Sequence, residues 1–307
     1  MRRGAIDFMG NRKWFMLAST IIIVVGVVSL LTRGLVFGIE FQGGTVMTFQ
    51  GKAGVTAESI RGALVVAKVT DARNATIQTT ADGSYLVRTA ESDPTKATAG
   101  FKAVVASLGL PQQDVTVTTI GPGWGRSVTN SAIIALMVSI LAILIYISLR
   151  FEYKMSLTAV LALVHDTLIV LGIYSLAGRE VTPNTMAALL TILGYSLYDT
   201  IVVFHRIREN SRNLQKQTFM EMANESINQV LMRWVNTSLT SVIPVTCLFF
   251  FGGETLKDFA FALLVGMLSG AYSSVGVASP LYAMWKEREP RFQALKKKYE
   301  KLAAKAS

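Results

Sequence analysis

Two charged residues of opposite sign interrupt stretches of sequence that are otherwise apolar. Asp199 lies within GYSLYDTIVVFHRIREN, residues 194–210, and Arg233 stands at the start of another apolar run. A charge at the centre of a membrane-spanning helix costs about 2.5–3.5 kcal/mol on insertion scales, and such residues usually face a bundle interior or water and mark an ion path. The position of Asp199 therefore favours a functional role for this carboxylate. The alternative is a static pair of Asp199 and Arg233 that fixes helix register, or an Arg233 side chain that only extends to the membrane interface.

His165 and Asp166 form a second polar position, inside another apolar run. Adjacent residues on a helix point about 100° apart, so these two side chains cannot both face one partner. The pattern favours an intramembrane hydrogen-bond pair over a set of ligands. His205 borders the run that holds Asp199 and is either solvated or able to handle protons, because the reference pKa of histidine is about 6.5.

Residue patterns that are typical of enzymes do not occur in the sequence. It has no phosphate-binding glycine loop, no metal-ligand spacing and no nucleophile paired with a base. A single cysteine, Cys247, excludes a disulfide within the chain. We therefore predict no enzymatic activity, no metal and no cofactor.

Six apolar runs must position these polar residues. Apolar residues make up 51% of the 307 residues and charged residues only 16%, whereas soluble globular proteins carry about 25% charged residues. The runs are residues 14–31, 128–149, 157–177, 185–204, 234–251 and 259–285, each with roughly the 17–25 residues that cross a bilayer core. We predict a polytopic α-helical membrane protein with six transmembrane helices, the first of which is a retained span and not a signal peptide.

Basic residues are distributed unevenly around these runs. The net charge is +10, and nineteen of the thirty Lys and Arg residues flank the runs on one side, whereas the short loops on the other side hold only Arg179 and Lys257. The positive-inside rule then predicts both termini in the cytoplasm, with Asp199 and Arg233 toward the cytoplasmic leaflet. The basic tail suits orientation and contact with anionic lipids; ribosome or RNA contact is the lesser alternative, and we predict no nucleic-acid partner.

One connection, residues 38–125, is long enough to form a domain. Its pattern alternates as strand, helix, strand, strand, helix and strand, with the helices beginning after Thr56 and after Asp93. This βαββαβ order predicts one α+β ferredoxin-like extracytoplasmic domain between helices 1 and 2. The connection contains no His, no Cys and no cluster of carboxylates, which favours a binding or moving module over a catalytic one.

The whole chain then divides into four predicted parts. They are residues 1–37, the cytoplasmic N-terminus with helix 1; residues 38–125, the extracytoplasmic domain; residues 126–285, helices 2 to 6; and residues 286–307, a basic cytoplasmic tail. Between the fourth and fifth runs, apolar residues at helical spacing predict a helix that lies along the cytoplasmic interface. Gly266 and Gly270, four residues apart, predict a close approach between helices.

Six motifs, in the expected order, resemble the SecF family of membrane subunits of the bacterial SecDF complex, which assists the protein translocase. They are FGIEFQGGT, IGPGWGRSV, LVHDTLIVLG, GYSLYDTIVVFHRIREN, SINQVLMRWVNTS and FGGETLKDFAFALLVGMLSGAYSSVGVASPL. The resemblance covers nearly the whole chain.

This resemblance implies a proton-driven pump of the resistance-nodulation-division (RND) superfamily, divided between SecD and SecF in the bacterial inner membrane. The implied partners are SecD, the SecYEG translocon with its associated membrane factors, the preprotein and membrane lipids. The family's intramembrane acid corresponds to Asp199 and its basic partner to Arg233. The extracytoplasmic domain is then expected to help draw an emerging preprotein outward while protons flow in.

Four residues beside the site depart from the family pattern. Val230 and Trp234 stand where the family has two Thr near Arg233. Tyr198 stands where the family has Asn, and His205 stands where it has a carboxylate. Asp199 and Arg233 themselves match, so the resemblance still implies the proton role. The accessory polar candidates are His165, Asp166, Tyr198 and His205.

Two other functions remain open from the sequence. A half-transporter of the same superfamily for lipids or small amphiphiles needs a sizeable apolar cleft in the outer domain, for which residues 38–125 leave little room. A non-transporting assembly subunit would hold a partner in place and would tolerate neutralisation of Asp199. Six spans are half the number usual for the superfamily, which favours a partner of similar size, SecD.

Overall fold

The computed structural model of the protein describes residues 6–51, 54–79, 83–111, 115–212, 214 and 217–306. The chain divides into two compact units. The first consists of Met1–Val36, Leu136–Arg179 and Asn184–Ser307, and the second of Phe37–Ala135 and Glu180–Pro183.

Long helices make up the first unit. They are α1 Arg12–Thr32, α5 Pro122–Arg150 (which begins in the second unit), α6 Tyr153–Ala177, α7 Pro183–Arg212, α8 Phe219–Phe251, α9 Glu254–Ser273, a π-helical turn at Ser274–Ala278, α10 Ser279–Glu287 and α11 Pro290–Ala306. Within the described part of the chain, six helical stretches are long and apolar enough to cross a membrane. The last of them, Leu256–Glu287, passes through α9, the π turn and α10. Each of the six predicted runs lies within one of these stretches.

The prediction of an interfacial helix before the fifth span is wrong. Instead, helix α8 is continuous from Phe219 to Phe251. A capping box fixes its start: the Thr218 hydroxyl accepts from the Glu221 N–H at 3.2 Å, and the Glu221 carboxylate accepts from the Thr218 N–H at 2.9 Å. The apolar side chains of the first turns are buried in the bundle and not spread on a membrane surface. Phe219, for example, packs against Phe292 with 4.7 Å between ring centroids.

Small residues allow the helices of the first unit to approach closely. A Cβ atom added at Gly172 on α6 would lie 2.7 Å from the Cα atom of Gly26 on α1. A Cβ atom added at Gly270 on α9 would lie 2.7 Å from the Cβ atom of Ser196 on α7. The close approach that the Gly266 and Gly270 spacing predicts is therefore present at Gly270, where α9 meets α7.

A four-stranded antiparallel sheet forms the second unit. Its strands are β2 Gly44–Gln50, β3 Thr76–Thr79, β4 Ser84–Thr89 and β5 Val115–Ile120, arranged in the order β3-β4-β2-β5. Helices α3 Ala57–Val66 and α4 Pro94–Ser107 connect β2 to β3 and β4 to β5. The core between sheet and helices is lined by fully or nearly fully buried side chains, among them Met47, Phe49, Ile60, Leu64, Val87, Phe101 and Val104.

Local capping explains where the two helices of this unit begin. The Thr56 hydroxyl accepts from the Ser59 N–H at 3.2 Å and caps α3. The Asp93 carboxylate accepts from the Thr95 N–H at 2.9 Å and caps α4, with Pro94 in the first turn. Both caps satisfy backbone donors that a helix start leaves without partners.

Glu180–Pro183, at the junction of α6 and α7, belongs to the second unit. Its strand β6 Glu180–Val181 pairs with β1 Val36–Phe37, and the Val181 carbonyl accepts from the Gly38 N–H at 2.9 Å, just before the short helix α2 Ile39–Gln42. Glu180 also forms an ion pair with Arg88 of β4, and both side chains are largely buried. Helix α7 therefore begins two residues after a strand that is bound to the second unit.

Candidate functional site

Helix α7 places Asp199 inside the first unit. The residue is 3% exposed, and its neighbours Ser196 and Thr200 are buried as well. The Oδ2 atom of Asp199 is buried and has no hydrogen-bond partner among the described residues. A buried polar atom without a partner costs free energy, so packing alone does not account for a carboxylate here.

A small cavity separates Asp199 from α8. It has a volume of about 10 Å³, roughly the room that a single water molecule needs. Its lining consists of Tyr198, Asp199, Val202 and Val203 from α7 and Arg233, Trp234 and Thr237 from α8. The two charged residues singled out in the sequence therefore line one cavity.

Arg233 is bound to a different residue in this cavity. Its Nη2 atom donates to the Tyr198 hydroxyl at 3.1 Å, and within the described structure no ion pair joins Arg233 to Asp199. Tyr198, one of the residues that depart from the family pattern, thus supplies the hydrogen-bond acceptor. The arrangement leaves the carboxylate and the guanidinium near each other without pairing them.

Asp166 on α6 lies at the centre of a second polar cluster and is fully buried. Four side chains surround its carboxylate: Ser269 donates to Oδ1 at 2.7 Å, Ser196 and Ser273 donate to Oδ2 at 2.6 and 2.8 Å, and His165 Nδ1 lies 3.0 Å from Oδ1. The serines come from α7 and α9, so this carboxylate joins three helices.

The two histidines occupy different surroundings. The predicted hydrogen bond between His165 and Asp166 is present, and the His165 ring stacks on Tyr272 with 6.4 Å between centroids. His165 Nε2 is buried and has no hydrogen-bond partner in the described part of the chain. His205 is exposed and does not belong to the cavity lining.

The serine partners of Asp166 are the functional-site residues that sequence reasoning missed. Ser196, Ser269 and Ser273 are separated from Asp166 by 30, 103 and 107 positions. One signal for them exists in the sequence, because Ser269 and Ser273 are four residues apart and so share one face of a spanning helix. Nothing in that spacing indicates which carboxylate the face meets.

No group of three or more His, Cys, Asp or Glu side chains that could hold a metal ion occurs among the residues that the structure describes. What the arrangement can do chemically is hold or move protons. One carboxylate, Asp199, has an oxygen atom without a hydrogen-bond partner in the described structure, and both oxygen atoms of the other, Asp166, accept hydrogen bonds.

Two protein-family descriptions match the chain. "SecD/SecF GG Motif" matches residues 28–55, and "Protein export membrane protein SecD/SecF, C-terminal" matches residues 101–288. The second match includes α6, α7 and α8 together with both polar clusters.

Individual relatives are similar over nearly the whole chain. The protein translocase subunit SecF of Streptomyces coelicolor is 39% identical over 300 residues, which cover 95% of this chain and 80% of the relative. The subunit of the same name from Desulfurispirillum indicum is 38% identical over 309 residues, covering 97% and 98%.

Among solved structures, the crystal structure of SecDF from Thermus thermophilus, described as a translocon-associated membrane protein, superimposes with a TM-score of 0.84 at 34% identity. The match covers 93% of this chain but 39% of that one, so this chain spans about two-fifths of the length of SecDF. The six apolar helices and these relatives identify a multi-pass membrane protein.

Proposed function

We propose a role in proton-driven protein export for this chain, which belongs to the SecD/SecF family of protein export membrane proteins. In this proposal it is a SecF-like subunit that uses the proton gradient across the inner membrane to promote preprotein export through movement of its extracytoplasmic domain. It performs no enzymatic reaction and carries no cofactor.

The observation that carries the proposal is the state of Asp199. Its side chain is 3% exposed, and its Oδ2 atom has no hydrogen-bond partner among the described residues. Arg233 lines the same cavity but donates to Tyr198. A carboxylate in such a place changes its interactions when it gains or loses a proton, because only the ionised form attracts the nearby guanidinium strongly.

Proton binding then acts on the packing of α7 against α8. Ionised Asp199 draws Arg233 away from Tyr198 across the cavity, and protonated Asp199 releases it. Two arrangements of one helix pair, each favoured by one protonation state, are what a proton-driven conformational change requires. Helix α7 begins two residues after β6, and its first residue, Pro183, belongs to the second unit.

The proposal includes the position of the chain in the membrane and its partners. Residues 38–125 form a ferredoxin-like domain outside the cytoplasm, supported by the strand order β3-β4-β2-β5 with two connecting helices. Helix 1, within residues 1–37, and helices 2 to 6, within residues 126–285, cross the membrane. The N-terminus and the tail, residues 286–307, both lie in the cytoplasm. The Thermus thermophilus relative named SecDF supports SecD as partner; SecYEG, the preprotein and membrane lipids complete the set.

Neutralising Asp199 tests the proposal. Preprotein export is measured in cells or inverted membrane vesicles with the proton gradient present, comparing the wild type with Asp199→Asn at equal abundance in the membrane. Glu209→Gln is the matched control, since it makes the same chemical change on α7 at a residue that forms a surface ion pair with Arg206 at 2.6 Å. Such pairs contribute about 0–1 kcal/mol to stability.

We expect Asp199→Asn to lower export to the level seen without the subunit, and Glu209→Gln to leave it unchanged. The wild-type advantage should also vanish when the gradient is collapsed. If Asp199→Asn exports as well as the wild type, the acid only fixes helix register and the chain serves as an assembly subunit.

A further inference from the structure

The Asp166 cluster is a buried group of polar side chains that the proposed proton step does not use. Its carboxylate is fully buried and receives hydrogen bonds from α7 and α9 at 2.6–2.8 Å. Single interhelical hydrogen bonds are common between spanning helices. Convergence of three serine hydroxyls on one acid is a more constrained arrangement, because all three helices must be positioned together.

The pattern of donors matches an acceptor-only carboxylate. An ionised Asp accepts at both oxygen atoms and donates nothing; here Ser269 donates to Oδ1 and two further serines donate to Oδ2. The remaining contact is that of His165 Nδ1 with Oδ1. An acceptor-only carboxylate assigns the proton to His165 Nδ1, which then donates the fourth hydrogen bond to Asp166. His165 Nε2 then carries no hydrogen, and it is the ring atom without a partner in the described structure.

Ser196, the residue of α7 that is hydrogen-bonded to Asp166, lies within one helical turn of Asp199. Ser196, which donates to Asp166, precedes Asp199 by three residues, and Thr200, the residue after Asp199, is hydrogen-bonded through its hydroxyl to Ser274 at 2.9 Å. At about 100° per residue, Asp199 points about 60° away from Ser196 and about 100° away from Thr200 around the helix axis. Pinning those two side chains therefore sets the direction of Asp199, which is toward the cavity at α8.

Two features of α9 and the turn that follows it bring their serines close to α7. The absence of a side chain at Gly270 lets α9 approach Ser196, and the α-helix gives way to a π turn at Ser274. Ser279 donates to the Ser274 carbonyl at 2.7 Å, five residues back along the chain. Single π turns inside helices frequently occur at functional sites.

We infer that Asp166 is a positioning residue for Asp199: with Ser196, Ser269 and Ser273 it fixes the rotation of α7 that aims the Asp199 carboxylate into the cavity beside Arg233. This inference rests on the proposed proton role of Asp199. It assigns Asp166 the role of a hydrogen-bond acceptor that joins α6, α7 and α9, while Asp199 is the group that changes charge.

The surroundings of both acids enter any pH measurement. Around Asp199 in the described structure, the charged and titratable groups are Arg233 from α8 and Tyr195 and Tyr198 from α7. Around Asp166 they are His165 on its own helix and Tyr272, which stacks on His165. None of these side chains is changed in the experiment below.

Labelling of Asp199 by dicyclohexylcarbodiimide tests the inference without relying on export. This apolar reagent modifies protonated carboxyl groups in apolar surroundings, and peptide mass spectrometry locates the adduct. Labelling is followed against pH in inverted vesicles that contain the full chain with its partner subunit, for the wild type, Asp166→Asn and Ser273→Ala. Asp199→Asn controls for the labelled position.

Ser29→Ala is the matched structural control. It removes a buried hydrogen bond between the hydroxyl groups of Ser29 on α1 and Ser175 on α6, 2.8 Å apart, and changes no side chain of α7 or of the Asp166 cluster. We expect the labelling midpoint of Asp199 to move by about one pH unit, a tenfold change in protonation ratio, in Asp166→Asn and less in Ser273→Ala. In Ser29→Ala it should stay at the wild-type value.

Each outcome has a distinct meaning. Unchanged midpoints in both cluster variants, beside pH-dependent labelling in the wild type, would overturn the positioning role and leave the proposed function intact. Wild-type labelling that does not depend on pH would overturn the proposed function and the inference together. If Asp166→Asn does not assemble in the membrane, Ser273→Ala and Ser196→Ala, which keep the carboxylate, decide the question.

Discussion

Replacing Gly270 with alanine should force α9 and α7 apart where both helices carry polar side chains. The added Cβ atom would lie 2.7 Å from Ser196 Cβ and 3.1 Å from both Ser196 Cα and Ser196 Oγ. Carbon atoms in contact prefer about 3.5–4.0 Å. Two of the three close atoms belong to backbone or Cβ, so rotation of the serine side chain does not relieve the overlap.

A control on α7 isolates the size of this effect. Alanine is favoured over glycine within a helix by about 0.8–1.0 kcal/mol. That gain applies equally to Gly194→Ala, where, among the described residues, no atom beyond the adjacent part of α7 lies within 4 Å of the added Cβ. Extra carbon in a well-packed interior costs about 1–3 kcal/mol. The two variants should therefore differ by about 1–3 kcal/mol in the free energy of unfolding, with Gly270→Ala the less stable.

Equilibrium unfolding measures this difference. The purified full chain in mixed micelles is unfolded with increasing sodium dodecyl sulfate, and tryptophan fluorescence reports the folded fraction. Gly194→Ala should be as stable as the wild type or slightly more stable, and Gly270→Ala should be clearly less stable. Equal stability of the two variants would refute the close approach of α7 and α9 at Ser196. It would also remove the geometric basis of the Asp166 cluster.

Two further outcomes concern the second unit. Arg88→Glu or Glu180→Arg alone should destabilise the second unit by about 3–5 kcal/mol, the cost of leaving one partner of a buried ion pair without the other. The double exchange should recover much of that loss in the same assay. A double variant no more stable than either single variant contradicts the pairing of Arg88 with Glu180. Hydrogen bonds from the Thr70 hydroxyl and the Asp93 N–H hold the pKa of Glu91 below 4.5. Its stabilising contribution is therefore present above about pH 4.5 and is lost as pH falls through the lowered pKa. Glu91→Gln should be less stable than the wild type near neutral pH, and unfolding curves should converge toward acid pH; a constant difference between the two curves would contradict this.

Local patterns in the sequence sufficed for many elements of the fold. The starts of α3 and α4 follow from the caps at Thr56 and Asp93, because capping involves residues only two or three positions apart. The six spans follow from the apolar runs, because insertion of a helix into a membrane depends on the composition of that helix. The separate interfacial helix failed because apolar spacing on the first turns of α8 does not distinguish a membrane surface from the bundle interior, where Phe219 and Ile227 are buried.

The candidate site divides in the same way. The types of residue in the sequence were enough to single out Asp199 and Arg233, since a charge in an apolar run is unusual wherever it points. The hydrogen bond of Arg233 to Tyr198 could not be derived, because side chains on two helices meet according to the rotation of each helix about its own axis. Asp166 was noticed for its His165 neighbour, and its bonds to three serines depend on the same rotations.

The sequence by itself determined that the described part of the chain has six helices long and apolar enough to cross a membrane, that a strand-rich segment follows the first of them, and that an acid and a base lie within these helices. These properties depend on composition and on the period of each helix, which are local. Only the tertiary structure decided which polar groups meet. Asp199 lies beside Arg233 with one oxygen atom that has no hydrogen-bond partner among the described residues, and Asp166 lies at the junction of α6, α7 and α9. That choice depends on how closely glycines such as Gly270 let the helices approach and on the rotation that all their contacts favour together.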